Sequence, residues 1–453
     1  DVLNTGGGNM TLLNKVSGDI TAAAGATMNA GLGNISVTNN GTAGGKIVLQ
    51  GLDGTGIHVE NNVSGVATGN AVALNGPLTA AGAVTVSSLS GDILVAEEIT
   101  GGALPVSITA DSGNTGNGAI TLEKPVTTTG GSITLTASTG IDLNGQLTTG
   151  AGAGDITLVN NVSGDITAAA DATMNAGLGN ISVTNNGTTG GKIALQDLEG
   201  TGIIVRNNVS GVTTGNAVTL NGPLTAAGAV TISSLSGDIL VDGVIAGGAL
   251  PVSITADSGN TGNGAITLEK PVTTTGGSIT LTASTGIDLN GQLTTGAGAG
   301  DITLVNNVSG DITAAADATM NAGLGNISVT NNGTAGGKIV LQGLDGTGIH
   351  VENNVSGVTT GNAVALNGPL TAAGAVTVSS QSGDILVADA ITGAALPVSI
   401  TADSGNTGNG AITLEKPVTT AGGLISLTAS SGITFNDVLN TGGGNMTLLN
   451  KVS

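Results

Sequence analysis

Gly131-Ser-Ile-Thr-Leu-Thr-Ala-Ser-Thr-Gly-Ile-Asp-Leu-Asn-Gly-Gln-Leu-Thr-Thr149 contains three short runs in which aliphatic residues alternate with Thr or Asp: Ile133-Thr-Leu135, Ile141-Asp-Leu143 and Leu147-Thr-Thr149. Alternation of period two is the signature of a half-buried strand, and the Gly and Asn between the runs mark turns. Ile133, Leu135, Ile141, Leu143 and Leu147 therefore point inward, while Thr134, Thr136 and Asp142 face water. Pro77, Pro105 and Pro125 stand next to strand starts, where a missing N–H does least harm. Eighty glycines among 453 residues and an abundance of Thr, Val and Ile oppose a helical reading.

The same triplet recurs along the chain. Its first strand begins at Met10, Ile35, Ile57, Val84, Val106 and Ile133, again at Ile156, Ile181, Ile203, Val230, Val252 and Ile279, and again at Ile302, Ile327, Ile349, Val376, Val398 and Ile425, with Met446 opening a further turn. Six such turns make a longer unit of about 146 residues, and Val-Ser-Gly-Asp-Ile-Thr-Ala-Ala-Ala begins at Val16, Val162 and Val308. Gly101 to Thr188 is identical to Gly247 to Thr334, and Asp1 to Ser17 returns unchanged as Asp437 to Ser453. The expected organisation is one continuous β-solenoid over residues 1–453, with sequence units of approximately 10–155, 156–301 and 302–445 and the next begun by 446–453. The two ends fall at the same phase of the pattern without polar caps, so they are expected to be the limits of a window in a longer fibre.

Three short strands per turn of about 24 residues imply an all-β, three-sided parallel β-solenoid, each turn bonded to its neighbours at ~4.8 Å. Eighteen turns would rise roughly 85 Å. A structural asparagine ladder is expected at one corner, because Asn pairs fall four and five residues after the first strand position. They are Asn39-Asn40, Asn61-Asn62, Asn160-Asn161, Asn185-Asn186, Asn207-Asn208, Asn306-Asn307, Asn331-Asn332 and Asn353-Asn354, with Asn14-Lys15 as a variant. Stacked amides donate and accept along the axis; the alternative is that Asn simply tolerates a left-handed turn.

Nine basic against thirty acidic residues give a formal net charge of −21, which opposes nucleic acid or an anionic membrane surface as partner. With no cysteine there is no disulfide, thiolate metal site or covalent haem attachment. No apolar run approaches 18 residues and no signal-peptide pattern is present, so no membrane insertion is expected in this segment.

Candidate chemistry is sparse. His58 and His350 sit beside Glu60 and Glu352 in Gly-Ile-His-Val-Glu, whereas the middle unit has Ile204 and Arg206, so solvated strand positions are expected. In the loop Asp111-Ser-Gly-Asn-Thr-Gly-Asn-Gly118, Asp111, Asn114 and Asn117 offer oxygens as a weak calcium candidate, but their spacing of three differs from the two of an EF-hand loop. Glu123-Lys124 is expected to be a solvated corner pair. Outward Thr134 and Thr136, or Ser107 and Thr109, are similar to the hydroxyl arrays of ice-binding solenoids, yet His58, Glu60, Ile204 and Arg206 interrupt them. Enzymes built on parallel β-helices need clustered carboxylates with Lys or Arg in a cleft made by departures from the repeat. No insertion of that size exists, so no catalytic residue, cofactor or metal is expected.

Gly131 to Thr149 and Ala71-Val-Ala-Leu-Asn-Gly-Pro-Leu-Thr-Ala80 resemble the repeat regions of filamentous-haemagglutinin-like bacterial surface proteins, and the likeness spans essentially the whole chain. The resemblance implies a large exported adhesin with a right-handed β-helical shaft, located outside the cell or on the bacterial surface. The expected function is a structural, non-catalytic shaft of a long extracellular fibre or cell-surface adhesin. Two alternatives stand beside it: a surface that binds glycans or neighbouring fibres, and a subunit of a filament assembled end to end. Expected partners are like fibres or further copies of the same repeat, surface glycans, and receptors on host or neighbouring cells.

Overall fold

The computed structural model describes residues 1–451 apart from 43, 67–68, 189, 213–214, 335 and 359–360. Residues 452–453, which close the recurring 17-residue stretch, lie outside the described residues. Among the described residues the regular structure is entirely β-strand. The chain divides into two compact units, Asp1–Ala226 and Ala227–Ser453, and each is a three-sided parallel β-solenoid.

In the first unit, face one consists of Met10–Asn14, Ile35–Asn39, Ile57–Asn61, Val84–Ser88, Val106–Thr109, Ile133–Ala137, Ile156–Asn160, Ile181–Asn185 and Ile203–Asn207. Successive starts lie 22 to 27 residues apart, and each is a start expected from the sequence. Face two is typified by Ile141–Leu143 and face three by Leu147–Thr148. The second unit repeats this from Val230–Ser234 to Met446–Asn450.

Stacking is in register: Ile133 pairs with Ile156, Thr134 with Thr157 and Leu135 with Leu158, while Ile141 lies on Ile166 and Leu147 on Met174. Parallel in-register pairing places like on like, so the alternating pattern of one turn fixes the inside and outside of the next. Ile133, Leu135, Ile141, Leu143 and Leu147 are buried, and each contributes roughly 1.5–3 kcal/mol from removal of its side chain from water. Thr134 and Thr136 are half-buried and Asp142 is exposed. An outermost turn shows the dependence on neighbours: Ile425 and Leu427 are fully buried, yet Met446 and Leu448, paired with them, are 42 % exposed.

Corners bring backbone onto backbone, and this is where glycine is needed. A Cβ on Gly131 would lie 2.0 Å from the Leu104 carbonyl oxygen of the turn below. At Gly8 the nearest atoms are 3.8 Å away and φ is unremarkable. Gly131→Ala is therefore expected to lower stability by about 3 kcal/mol or more, and Gly8→Ala by less than about 0.5 kcal/mol, measured as the loss of urea resistance of the full chain. Equal effects of the two substitutions would contradict the corner geometry.

Candidate functional sites at the corners and faces

The inner asparagines occupy one column at the end of the face-one strands, and all are buried: Asn39, Asn61, Asn160, Asn185, Asn207, Asn306, Asn331 and Asn353. The outer members differ, with Asn40, Asn62, Asn186, Asn208, Asn332 and Asn354 exposed and Asn161 and Asn307 half-buried. Along the inner column an amide–amide bond joins only the first and second turns of each group of three. Asn14 Nδ2 donates to Asn39 Oδ1 at 3.0 Å, Asn160 to Asn185 at 3.1 Å and Asn306 to Asn331 at 3.1 Å.

The remaining inner amides bind backbone. Asn185 Nδ2 donates to the Gly164 carbonyl at 3.0 Å while its Oδ1 accepts from the Gly187 N–H at 3.2 Å. Asn61 Nδ2 reaches the Gly45 and Ala71 carbonyls at 3.0 and 2.7 Å, and Asn207 and Asn353 repeat that bracket. Outer amides link turn to turn in open water, as in Asn62 to Asn40 at 2.9 Å, Asn208 to Asn186 at 2.8 Å, Asn332 to Asn307 at 3.5 Å and Asn354 to Asn332 at 3.0 Å. Asn161 joins the stack through its backbone N–H, which donates to the Ala137 carbonyl at 2.9 Å.

The column continues with other residues. Ser88 pairs with Asn61, and its hydroxyl donates to the Gly91 carbonyl at 2.7 Å; Ala137 pairs with Asn160. Ala137 has no amide to offer and the Val162 N–H donates to the Ser138 carbonyl at 3.0 Å, so the buried Asn160 Oδ1 is left without a protein partner, and Asn306 Oδ1 is in the same position. The wide corner after Asn61 also holds a small satellite core of Val63, Val66 and Ala71, repeated as Val209, Val212 and Ala217 and as Val355, Val358 and Ala363.

The calcium candidate resolves into a closed loop. Asp111 is 2 % exposed with φ 61°, a left-handed conformation that its own carboxylate secures. Oδ1 accepts from the Thr115 N–H at 2.9 Å and the Thr115 hydroxyl at 2.7 Å, and Oδ2 from the Gly116 and Asn117 N–H groups at 2.8 and 3.1 Å. Asn117 turns its amide to the Val66 carbonyl at 3.0 Å, and Asn114 is exposed with φ 52°. The charge of Asp111 is balanced by the loop's own donors. Among the described residues no three His, Cys, Asp or Glu side chains form a metal-holding group.

The loop's chemistry appears in its acidity. Burial raises the Asp403 carboxyl, but the nearby Ser430 hydroxyl and bonds from the Thr407 N–H and hydroxyl and the Gly408 N–H outweigh it and hold the group at about 2. Asp111 and Asp257 are lowered in the same way, burial being opposed by the Thr115 and Thr261 donors respectively.

His58 and Glu60 stand 3.5 Å apart, and His350 and Glu352 3.4 Å, all outward on face one. Both pairs are solvated, so their energetic contribution is small. Around them run ranks of hydroxyls: Thr85 and Ser87, Ser107 and Thr109, Thr134 and Thr136 on consecutive turns. A shallow groove beside Asn175 and Glu199 recurs with the repeat, its counterpart lying beside Asn321 and Asp345.

Comparison with protein-family models, with curated proteins and with solved structures finds no match.

Inner and outer amides predict different costs. Asn185→Ala orphans buried backbone and is expected to cost about 1–3 kcal/mol and to speed hydrogen exchange at the Gly187 amide; Asn186→Ala should change stability by no more than about 0.5 kcal/mol. The acidic loops predict a pH dependence with a definite sign. Asp403 lies lower in the folded chain than its ordinary value of 3.8. Its contribution, roughly 2 kcal/mol, is therefore complete above pH 4 or so and lost as pH falls through about 2. Urea midpoints at pH 5 and pH 2.5 should differ more for the wild type than for Asp403→Asn.

Proposed function

We propose that this chain is the structural, non-catalytic shaft of a long bacterial extracellular fibre or cell-surface adhesin. The observation that carries the proposal is in-register stacking: Ile133 on Ile156 and Leu135 on Leu158 repeat one contact set turn after turn. A core built this way is extended by adding copies of one unit, and burial is local to neighbouring turns, so length can grow without redesign of the interior. The sequence resemblance to filamentous-haemagglutinin-like proteins points in the same direction. Under this proposal the acidic exterior keeps neighbouring fibres dispersed, and adhesion belongs to parts of the molecule other than the shaft.

A second reading takes the hydroxyl ranks of face one as a binding surface for glycans or neighbouring fibres. It is supported by Thr85, Ser107, Thr134 and Thr157 standing in register on four consecutive turns. No Trp or Tyr is present in the chain and the one Phe, Phe435, stands on face two, so binding on face one rests on hydrogen bonds and methyl contacts.

Immunogold electron microscopy with antibodies to residues 1–453 on intact bacteria tests the proposal. Label strung along thin projections outside the cell is the expected result. Label confined to the cytoplasm would overturn it. In a parallel glycan-array measurement the shaft proposal expects no retention, whereas retention abolished by Thr134→Ala with Thr157→Ala favours the second reading.

A further inference from the structure

The corner joining face three to face one carries large apolar side chains that the core does not use. In the first unit Leu32, Leu104 and Leu178 are 89, 52 and 70 % exposed, and in the second Leu250, Leu324 and Leu396 are 53, 70 and 51 % exposed. Each stands two or three residues before a face-one strand, and within each unit the spacing is 72 or 74 residues, or three turns. Three turns rise roughly 14 Å. The intervening turns present small residues at the same corner: between Leu32 and Leu104 lies a hollow floored by Thr55, Gly56, Gly82 and Ala83, with Leu104 forming one wall and His58 on its face-one side. The Thr55 hydroxyl bonds the Leu32 carbonyl at 2.9 Å, and the Gly82 N–H bonds the Thr55 carbonyl, so knob and hollow belong to one continuous backbone stack.

The distribution of charge around this corner is as unusual as its leucines. From Ala30 to Asn34, Gly54 to Gly56, Ala81 to Ala83 and Gly102 to Pro105 there is no charged residue. Up to Leu178 the corner holds one carboxylate, Asp155, whose Oδ1 accepts from the Asn180 N–H at 2.8 Å and from its Nδ2 at 3.2 Å. Exposed Glu97, Glu98, Glu123, Asp142 and Asp171 lie on face two or at the corner that follows it, while Asp53 and Glu199 are exposed on face three and Glu60 and Arg206 stand on face one. In a three-sided prism the leucine corner is opposite face two. In a chain of formal charge −21, each unit thus has a corner that bears leucines three turns apart and few charges.

From these observations we infer that the leucine corner docks side by side with the same corner of a second copy, leucines of one seating in the Gly/Ala hollows of the other. Two features select a second copy over another partner. A copy carries the same three-turn spacing by identity of sequence, so an offset of half a period, roughly 7 Å, brings the leucines of a unit between those of its partner, as Leu32 and Leu104 flank the hollow at Thr55 to Ala83. A partner drawn by charge would go to the carboxylate-rich side, whereas two acidic copies meet with least repulsion along the edge that lacks carboxylates. Each knob covers little area compared with the roughly 800 Å² per partner of a stable interface, so affinity grows with the number of leucines engaged. The shaft proposal does not depend on this pairing.

Sedimentation equilibrium of the full 453-residue chain tests it. Over about 1 to 100 μM the wild type is expected to move from 42.8 kDa toward twice that mass. Added salt should strengthen association by screening the like charges. The variant with Leu→Ser at positions 32, 104, 178, 250, 324 and 396 keeps the wild-type circular dichroism, because these side chains are outside the core, and shows at least tenfold weaker association. Asp142→Asn, on the opposite face, should leave the dimer intact. A wild type that stays at monomer mass throughout overturns the pairing and leaves the shaft proposal standing. Association that persists in the leucine variant also overturns it, since end-to-end stacking would survive those substitutions.

Discussion

Within each unit, each turn lies on the previous one at the ~4.8 Å spacing of paired strands, and the rest of the structure follows from that distance. Parallel pairing in register sets Ile133 on Ile156 and Leu147 on Met174, so an aliphatic residue on one turn needs an aliphatic residue on the next. At the corners the same spacing leaves no room for a Cβ, as at Gly131 against the Leu104 carbonyl. Period-two alternation on the faces and glycine at the bends are two consequences of one constraint.

The corners also explain why the sequence repeats after six turns and not after one. A wide corner needs its loose backbone tied down, and the inner asparagines Asn39, Asn61, Asn185 and Asn207 do this by bonding loop carbonyls. Elsewhere in the column Ser88 uses a hydroxyl, and Asp111 folds a longer loop around its carboxylate. Faces are nearly interchangeable while corners are individual. Polar groups buried this way stabilise when every partner is present, which makes the unpartnered Asn160 Oδ1 a local weakness.

Strand starts, inward residues and the three-sided stack were all legible in the sequence, because a 22 to 27-residue period and a two-residue period together leave one consistent arrangement. The asparagine corner was legible in position but not in mechanism. Asn185 and Asn186 are the same residue type side by side, and only the path of the corner sends one amide to buried carbonyls and the other into solvent. Likewise Asp111, Asn114 and Asn117 are three oxygen-bearing residues in a row of threes, and the left-handed φ at Asp111 decides that its carboxylate faces its own loop. The leucine corner was hidden for a related reason: Leu32 and Leu104 sit in Gly- and Pro-rich bends, where exposure depends on the direction of the bend and not on periodicity.

Acidity, a thin aliphatic core and repeating corners fit a molecule whose role depends on extension, and all of them rest on strict register between turns. That register can be measured directly, because the chain has no cysteine of its own. Thr134→Cys with Thr157→Cys places two thiols on outward positions that pair across adjacent turns, at a Cα separation of about 4.8 Å that a disulfide spans. Thr134→Cys with Val159→Cys places them on the diagonal, roughly 8 Å apart and beyond disulfide reach. Under mild oxidation the in-register pair should cross-link within the monomer and the diagonal pair should not; efficient cross-linking of the diagonal pair, with none in the other, would contradict the stack described here.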